Sequence, residues 1–356
     1  MNNKVLTKDK INESLASSGH RTDLIQRMKS IAYAKKPFRS IAGRIKRTDS
    51  EQSQTSVKQT SNSILITANP EYCQTPREKS DSVVTKWKDA PLVSAWPEME
   101  KNSIAKGLGI LINARYNGYS LNSLTRISQG CYPICGPAAI MFALAKKNID
   151  SLVKIIIELY ETGKIGSWSV PKKLREYDAN FKVFFGDNNS HDEFDKSYCR
   201  VNWMFNASLA QKESNVSSIV PASTKIYNNL TMHTSSDEMR RHINFMLNPQ
   251  KIQEQSDWSW KGTVKRSVQN ILPYLDKWKE CLKKSGTVFW LMHAGVLEGK
   301  CTWHFKISDL HWVVVLEVVT DEDSVSLLIH TWGEIKRLTL TLKQFRIVGC
   351  HSFTVV

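Results

Sequence analysis

Residues 129–145 read QGCYPICGPAAIMFALA. An apolar run that opens on Cys-Gly-Pro predicts a helix over 136–147 starting directly after Cys135. Pro137 suits the first helical turn, where its missing N–H leaves no bond unmade. A thiol is a useful nucleophile only as thiolate. The partial positive charge of a helix N-terminus, and an adjacent imidazolium, both favour that form. Gly136 would let a substrate approach the backbone closely. The backbone N–H of Cys135 and the side chain of Gln129, six residues earlier, are candidate donors to a developing oxyanion. Free cysteines are commonly just small buried hydrophobes, so the thiol by itself is a weak signal. Cys131 competes for the role, but it stands before Tyr-Pro in an expected loop.

A cysteine hydrolase draws its histidine base from elsewhere in the chain. His311 opens the run HWVVVLEVVT (311–320), after the loop residues SDL (308–310). A histidine at the mouth of a strand can point into a cleft while the strand behind anchors it; the plain alternative is a satisfied core or edge histidine. His20 lies in the basic N-terminal region and His242 on a charged helix face. His293 and His304 remain candidates, the latter in a loop flanked by Trp.

The texture of the chain divides it. The first sixty residues carry 13 Lys and Arg against 5 Asp and Glu, a net 13 − 5 = +8 out of a total of +15. SEQSQTSVKQTSNS (50–63) has one apolar residue and cannot bury a core. Residues 1–85 are therefore expected as a basic, largely flexible tail, with 50–85 mainly linker. Within it, residues 23–47 place apolar positions among many cations, a pattern that could meet an anionic membrane or a secretion chaperone. From 86 to 356 the pattern is globular. Helices are expected over 102–117, 136–147, 151–163, 238–247 and 264–284, and strands over 287–296, 311–320, 324–332 and 335–342, with a last strand closing the chain. Residues 184–235 yield no assignment. Helices first and an antiparallel sheet last describe an α+β domain.

Taken together, Gln129, then Cys-Gly-Pro-Ala-Ala and an aliphatic helix, then His311 leading a Val-rich strand, resemble the papain-like cysteine peptidases of the bacteriocin-processing, C39-like group. KKSGTVFWLM (283–292) is similar to the strand that precedes the histidine there. The resemblance covers roughly 125–165 and 280–356 and leaves about 166–260 as an insertion. It implies a papain-like α+β fold, Cys135 as nucleophile, His311 as general base and Gln129 at the oxyanion hole. In that group a carboxylate at the end of the next strand orients the histidine. This chain has SLLIHTWGE (326–334) there, with no Asp. His330 and Thr331 fall nearest, Glu334 lies just beyond Gly333, and Trp332 or a backbone carbonyl could also hold the ring. A dyad works without a third carboxylate if something else fixes the imidazole.

The function expected is thiol-dependent hydrolysis of an amide: a peptide bond, a glutamine side chain or a cell-wall cross-peptide. The alternative is a binding module on the same fold that has lost its chemistry. The expected partner is a protein or peptide substrate, with no cofactor and no metal: seven scattered cysteines include no CxxC pair. The charge and eleven Trp invite nucleic acid, but the cations gather in the tail and no reading motif is present, so nucleic acid is an unlikely partner. NWMFNASLA (202–210) and SDWSWKG (256–262) are candidates for shaping a cleft, although Trp in such places most often packs. No run of about 18 apolar residues occurs and MNNKVLTKDKINESLASSG lacks an apolar signal core. The layout resembles secreted bacterial effectors and toxins, delivered into a target cell without a cleaved signal peptide; otherwise the protein is cytoplasmic.

Overall fold

The computed structural model describes residues 77–116, 127, 134–176, 193–213, 234–256, 271–298 and 310–356, all within one unit, Thr55–Val356. The expectations for residues 23–47 and 50–63, and for Gln129, Cys131, His20, His304 and 257–262, lie outside the described residues. The described helices are α1 (Arg77–Asp89), α2 (Lys101–Tyr116), α3 (Cys135–Lys147), α4 (Ile149–Thr162), α5 (Lys172–Arg175), α6 (Glu193–Glu213), α7 (Ser236–Leu247), α8 (Leu272–Lys283) and α9 (Leu342–Val348). The strands are β1 (Lys164–Ile165), β2 (Trp168–Ser169), β3 (Ile252–Ser256), β4 (Thr287–His293), β5 (Leu310–Thr320), β6 (Ser324–Thr331), β7 (Glu334–Thr341) and β8 (Gly349–Val355). The first two form a small hairpin; the rest form one antiparallel sheet in the order β3-β8-β4-β5-β6-β7. This is an α+β arrangement, a helical N-terminal half packed against a six-stranded antiparallel C-terminal sheet.

Local chemistry sets the helix ends. Asn148 closes α3 and opens α4, its side chain accepting the Ser151 N–H at 3.0 Å. Gly163 ends α4 with φ 65°, the left-handed position glycine tolerates best. Capping boxes start α7 (Ser235 with Glu238) and α9 (Thr341 with Gln344). Helix α3 is buried on every face from Cys135 to Ala145, as its unbroken apolar sequence requires.

The sheet is covered on both sides. Trp312, Val314, Leu291 and Phe353 join the core shared with α2, α3, α4 and α6. Val313, Val315, Ile329 and Trp290 join a second core under α8 and α9. That is why β4 and β5 read as continuous apolar runs instead of alternating. The edge strand β7 returns to a mixed pattern.

Several segments differ from the sequence reading. Helix α1 begins at Arg77, within the stretch read mainly as linker, and buries Val84 and Trp87 against the core. The unassigned residues 184–235 contain α6, whose Trp203, Met204 and Phe205 are wholly buried. NWMFNASLA thus packs into the core, not along a cleft. In the expected insertion, α6 belongs to the main core and β3 pairs with β8. His242 is buried, not on a charged face: α7 turns it inward with Met239, Ile243 and Met246. The strand expected to 296 stops at His293 and continues as a 3-10 turn, Ala294–Glu298. Helix α9 separates β7 from β8, where the sequence reading placed none.

Helices α2 and α6 meet at Gly107. A Cβ there would lie 2.6 Å from the Ser197 carbonyl oxygen and 2.7 Å from Val201 Cγ2. In an open helix Gly→Ala stabilises by about 1 kcal/mol. Here Gly107→Ala is expected to destabilise by about 1–3 kcal/mol through overpacking, read as a lower urea midpoint. A raised midpoint would refute the close approach.

Candidate functional site

The candidate nucleophile stands where the two halves join. Cys135 is the first residue of α3, after Ile134, and is 3 % exposed. Helix α3 packs on β5, with Trp312 and Val314 facing it. The backbone groups of Trp312, of Gly136 and of its own residue lie near the Cys135 sulfur and lower its pKa. Those groups favour the thiolate, two of them through the free N–H groups of the helix N-terminus. Burial outweighs them and pushes the thiol up to about 11. In this state Cys135 holds its proton at neutral pH.

Gly136 is closed as well. The expectation that a substrate could lie against it is corrected by Thr234, whose side chain already fills that space: a Cβ on Gly136 would meet Thr234 Cγ2 at 2.5 Å and Oγ1 at 2.6 Å. The Trp312 indole N–H donates to the Thr234 carbonyl at 2.8 Å.

His311 is the second residue of β5 and is buried. Its Nε2 lies 2.8 Å from Thr331 Oγ1. In the tautomer protonated at Nε2 the ring donates to the hydroxyl, leaving the Nδ1 lone pair as the basic site. Strand alternation explains the pairing. Val314 lies opposite His330 and Val315 opposite Ile329, so one residue further Thr331 falls on the same face as Val313 and His311. The alternation also separates the two neighbouring candidates: His330 points to the helical side, where its ring stacks on Phe142 of α3 at 3.8 Å. Glu334 pairs with Lys336 at 3.0 Å. A threonine hydroxyl fixes the ring, but it lacks the charge with which a carboxylate stabilises an imidazolium.

Trp332 completes this arrangement. Thr331 pairs with Glu334 across a two-residue turn, and Trp332 and Gly333 take φ 48° and 75°. This is the signature of the turn whose twist suits a hairpin, usually filled by Asn-Gly. An aromatic residue at positive φ is strained. The Trp332 ring lies 4.8 Å from the His311 ring, and Lys336 Nζ lies 5.6 Å from the indole.

Cys135 and His311 thus come to the same end of β5, where β6 stops. The thiol arrives from the helical face, and the imidazole belongs by alternation to the opposite one. His293 is buried at the end of β4, opposite Leu310. Gln129 lies outside the described residues. Sequence reasoning missed Thr234, the two N–H groups of Trp312, and His351. The last lies 2.9 Å from Glu254 and edge-on to Trp312, and burial holds its imidazole below the usual range against the opposing pull of Glu254. No periodicity marks such contacts between distant segments. Among the described residues no group of three or more His, Cys, Asp or Glu could hold a metal ion, Cys135, Cys199, Cys281 and Cys350 are not in disulfides, and no helix is long and apolar enough to cross a membrane. The chain matches no protein-family model and no curated protein sequence.

Two outcomes follow from this geometry. Thr331→Asp is expected to raise the His311 pKa by about one unit or more, because an adjacent carboxylate favours the imidazolium; an unmoved ring titration by NMR would place position 331 away from His311. Burial raises the thiols of Cys135, to about 11, and Cys350, to about 12. The folded state therefore keeps protons that the unfolded chain releases near pH 9. Their stabilisation is complete below that pH and is lost as pH climbs through the folded values. The urea midpoint should fall between pH 9 and 11, and fall less in Cys135→Ala; an equal fall in both proteins refutes the assignment for Cys135.

Proposed function

We propose that this protein is a thiol-dependent hydrolase of amide bonds on a papain-like scaffold, with Cys135 as nucleophile, His311 as general base and Thr331 as the group that orients His311. One observation carries the reading. The Trp312 backbone, directly after His311, lies beside the Cys135 sulfur and favours its thiolate, so residues 177 positions apart in sequence come together at one end of the sheet. The bond from His311 Nε2 to Thr331 supports it, because a base must be held in one tautomer and direction.

In the reaction, His311 Nδ1 takes the thiol proton as the sulfur attacks the amide carbon. The tetrahedral oxyanion is met by the Cys135 N–H, with Gln129 as the second donor. The imidazolium then protonates the departing amine, and water releases the acyl group from the sulfur by the reverse proton path. Because the register sets thiol and imidazole on opposite faces of the sheet, this reaction requires the imidazole to come around the end of β5 to the thiol. A buried, neutral thiol must also be opened to solvent or substrate before it can react. The substrate class is a protein or peptide. The basic first sixty residues fit an effector or toxin delivered into a target cell, with a secretion chaperone or an anionic membrane as their partner.

The burial of Cys135 favours one other reading, a papain-like binding module without turnover. A peptidyl vinyl sulfone decides between them because it needs no known substrate. Adduct formation at Cys135 that falls about 10³-fold or more in His311→Ala is expected for the hydrolase. Labelling that is equally slow with and without His311 refutes the dyad and leaves the binding module.

A further inference from the structure

Three observations converge on Thr234. Its side chain lies directly on Gly136, at distances a Cβ at that position could not tolerate. Its carbonyl accepts the indole N–H of Trp312 at 2.8 Å. The following residue, Ser235, is extended, with φ −67° and ψ 167°, and caps α7. Thr234 therefore sits on the head of α3, against the residue that follows the thiol. Thr234 is 7 % exposed and Cys135 3 %.

Trp312 serves both partners. Its backbone lies beside the Cys135 sulfur, and its indole N–H bonds to the Thr234 carbonyl. One residue thus lies against both the thiol and the Thr234 carbonyl, through its backbone and its indole respectively. A main-chain carbonyl held by a fixed donor, with its side chain seated on a glycine, is the kind of contact a docked peptide residue makes.

We infer that Thr234 occupies the place of a substrate residue next to the thiol, so that the site is closed by the chain's own polypeptide, and that the Trp312 indole is the donor that would hold the corresponding substrate carbonyl. Resting on the hydrolase reading, this names the substrate class: a polypeptide whose main-chain carbonyl takes the Trp312 indole N–H. Opening requires that Thr234 leave, which also removes much of the burial that keeps the thiol protonated while the backbone donors stay in place.

The test is the rate of Cys135 alkylation by iodoacetamide in the full chain at pH 8.5, site by site by peptide mass, against the buried thiols Cys199, Cys281 and Cys350. Thr234→Gly removes the covering side chain, and Trp312→Phe removes the N–H while keeping an aromatic ring. Each is expected to accelerate Cys135 about tenfold or more over the other three. Acceleration of all four together means general loosening and overturns the inference, as does a wild-type rate at Cys135 in both variants. Because alkylation reads access and not turnover, failure here leaves the vinyl sulfone result standing, and failure of the dyad there leaves a covered, non-catalytic thiol.

Discussion

The head of α3 rests on the backbone of β5 at Trp312, and the two halves of the molecule are joined through that contact. A helix apolar on all sides has no face for water. It must be enclosed, and here α2, α4, α6 and α7 enclose it on one side and the sheet on the other. Its first residue is then carried to the end of the sheet, where β6 stops. The unpaired N–H groups of the helix start meet a sulfur there instead of solvent. The same enclosure that positions Cys135 also removes it from water, so position and reactivity are set against each other in one feature.

The opposite face of the sheet solves a different problem. His311 and Thr331 lie on neighbouring strands of equal parity, so their hydrogen bond follows from the register once β5 and β6 pair. The turn after Thr331 then places Trp332 beside the imidazole at the cost of a backbone conformation that suits Asn or Gly. A strained aromatic residue covering a buried histidine–hydroxyl bond is a local conflict of the kind found where function outweighs fold stability. At 331 the ring meets a neutral hydroxyl in place of a carboxylate, and Trp332 packs beside it.

The described part of the region expected as an insertion is bound to the rest of the domain. Helix α6 supplies Trp203, Met204 and Phe205 to the principal core, β3 extends the sheet beside β8, and Thr234 reaches the head of α3. Removal of such a segment would open both the helical core and the cover over the thiol.

The sequence by itself determined the elements whose chemistry is local. The apolar run after Cys135 marked α3, Gly163 marked the end of α4, and the β-branched runs marked β5 to β7, because periodicity and caps act over a few residues. It also narrowed the group beside His311 to a few candidates without choosing among them. Strand parity made that choice, setting Thr331 on one face and His330 on the other, and parity becomes decisive only when register is fixed by pairing. Tertiary structure alone decided that His242 turns inward, that α6 lies in the core, and that Thr234 covers Gly136. Each depends on which distant surfaces must be removed from water together, and no local pattern of residues encodes that requirement.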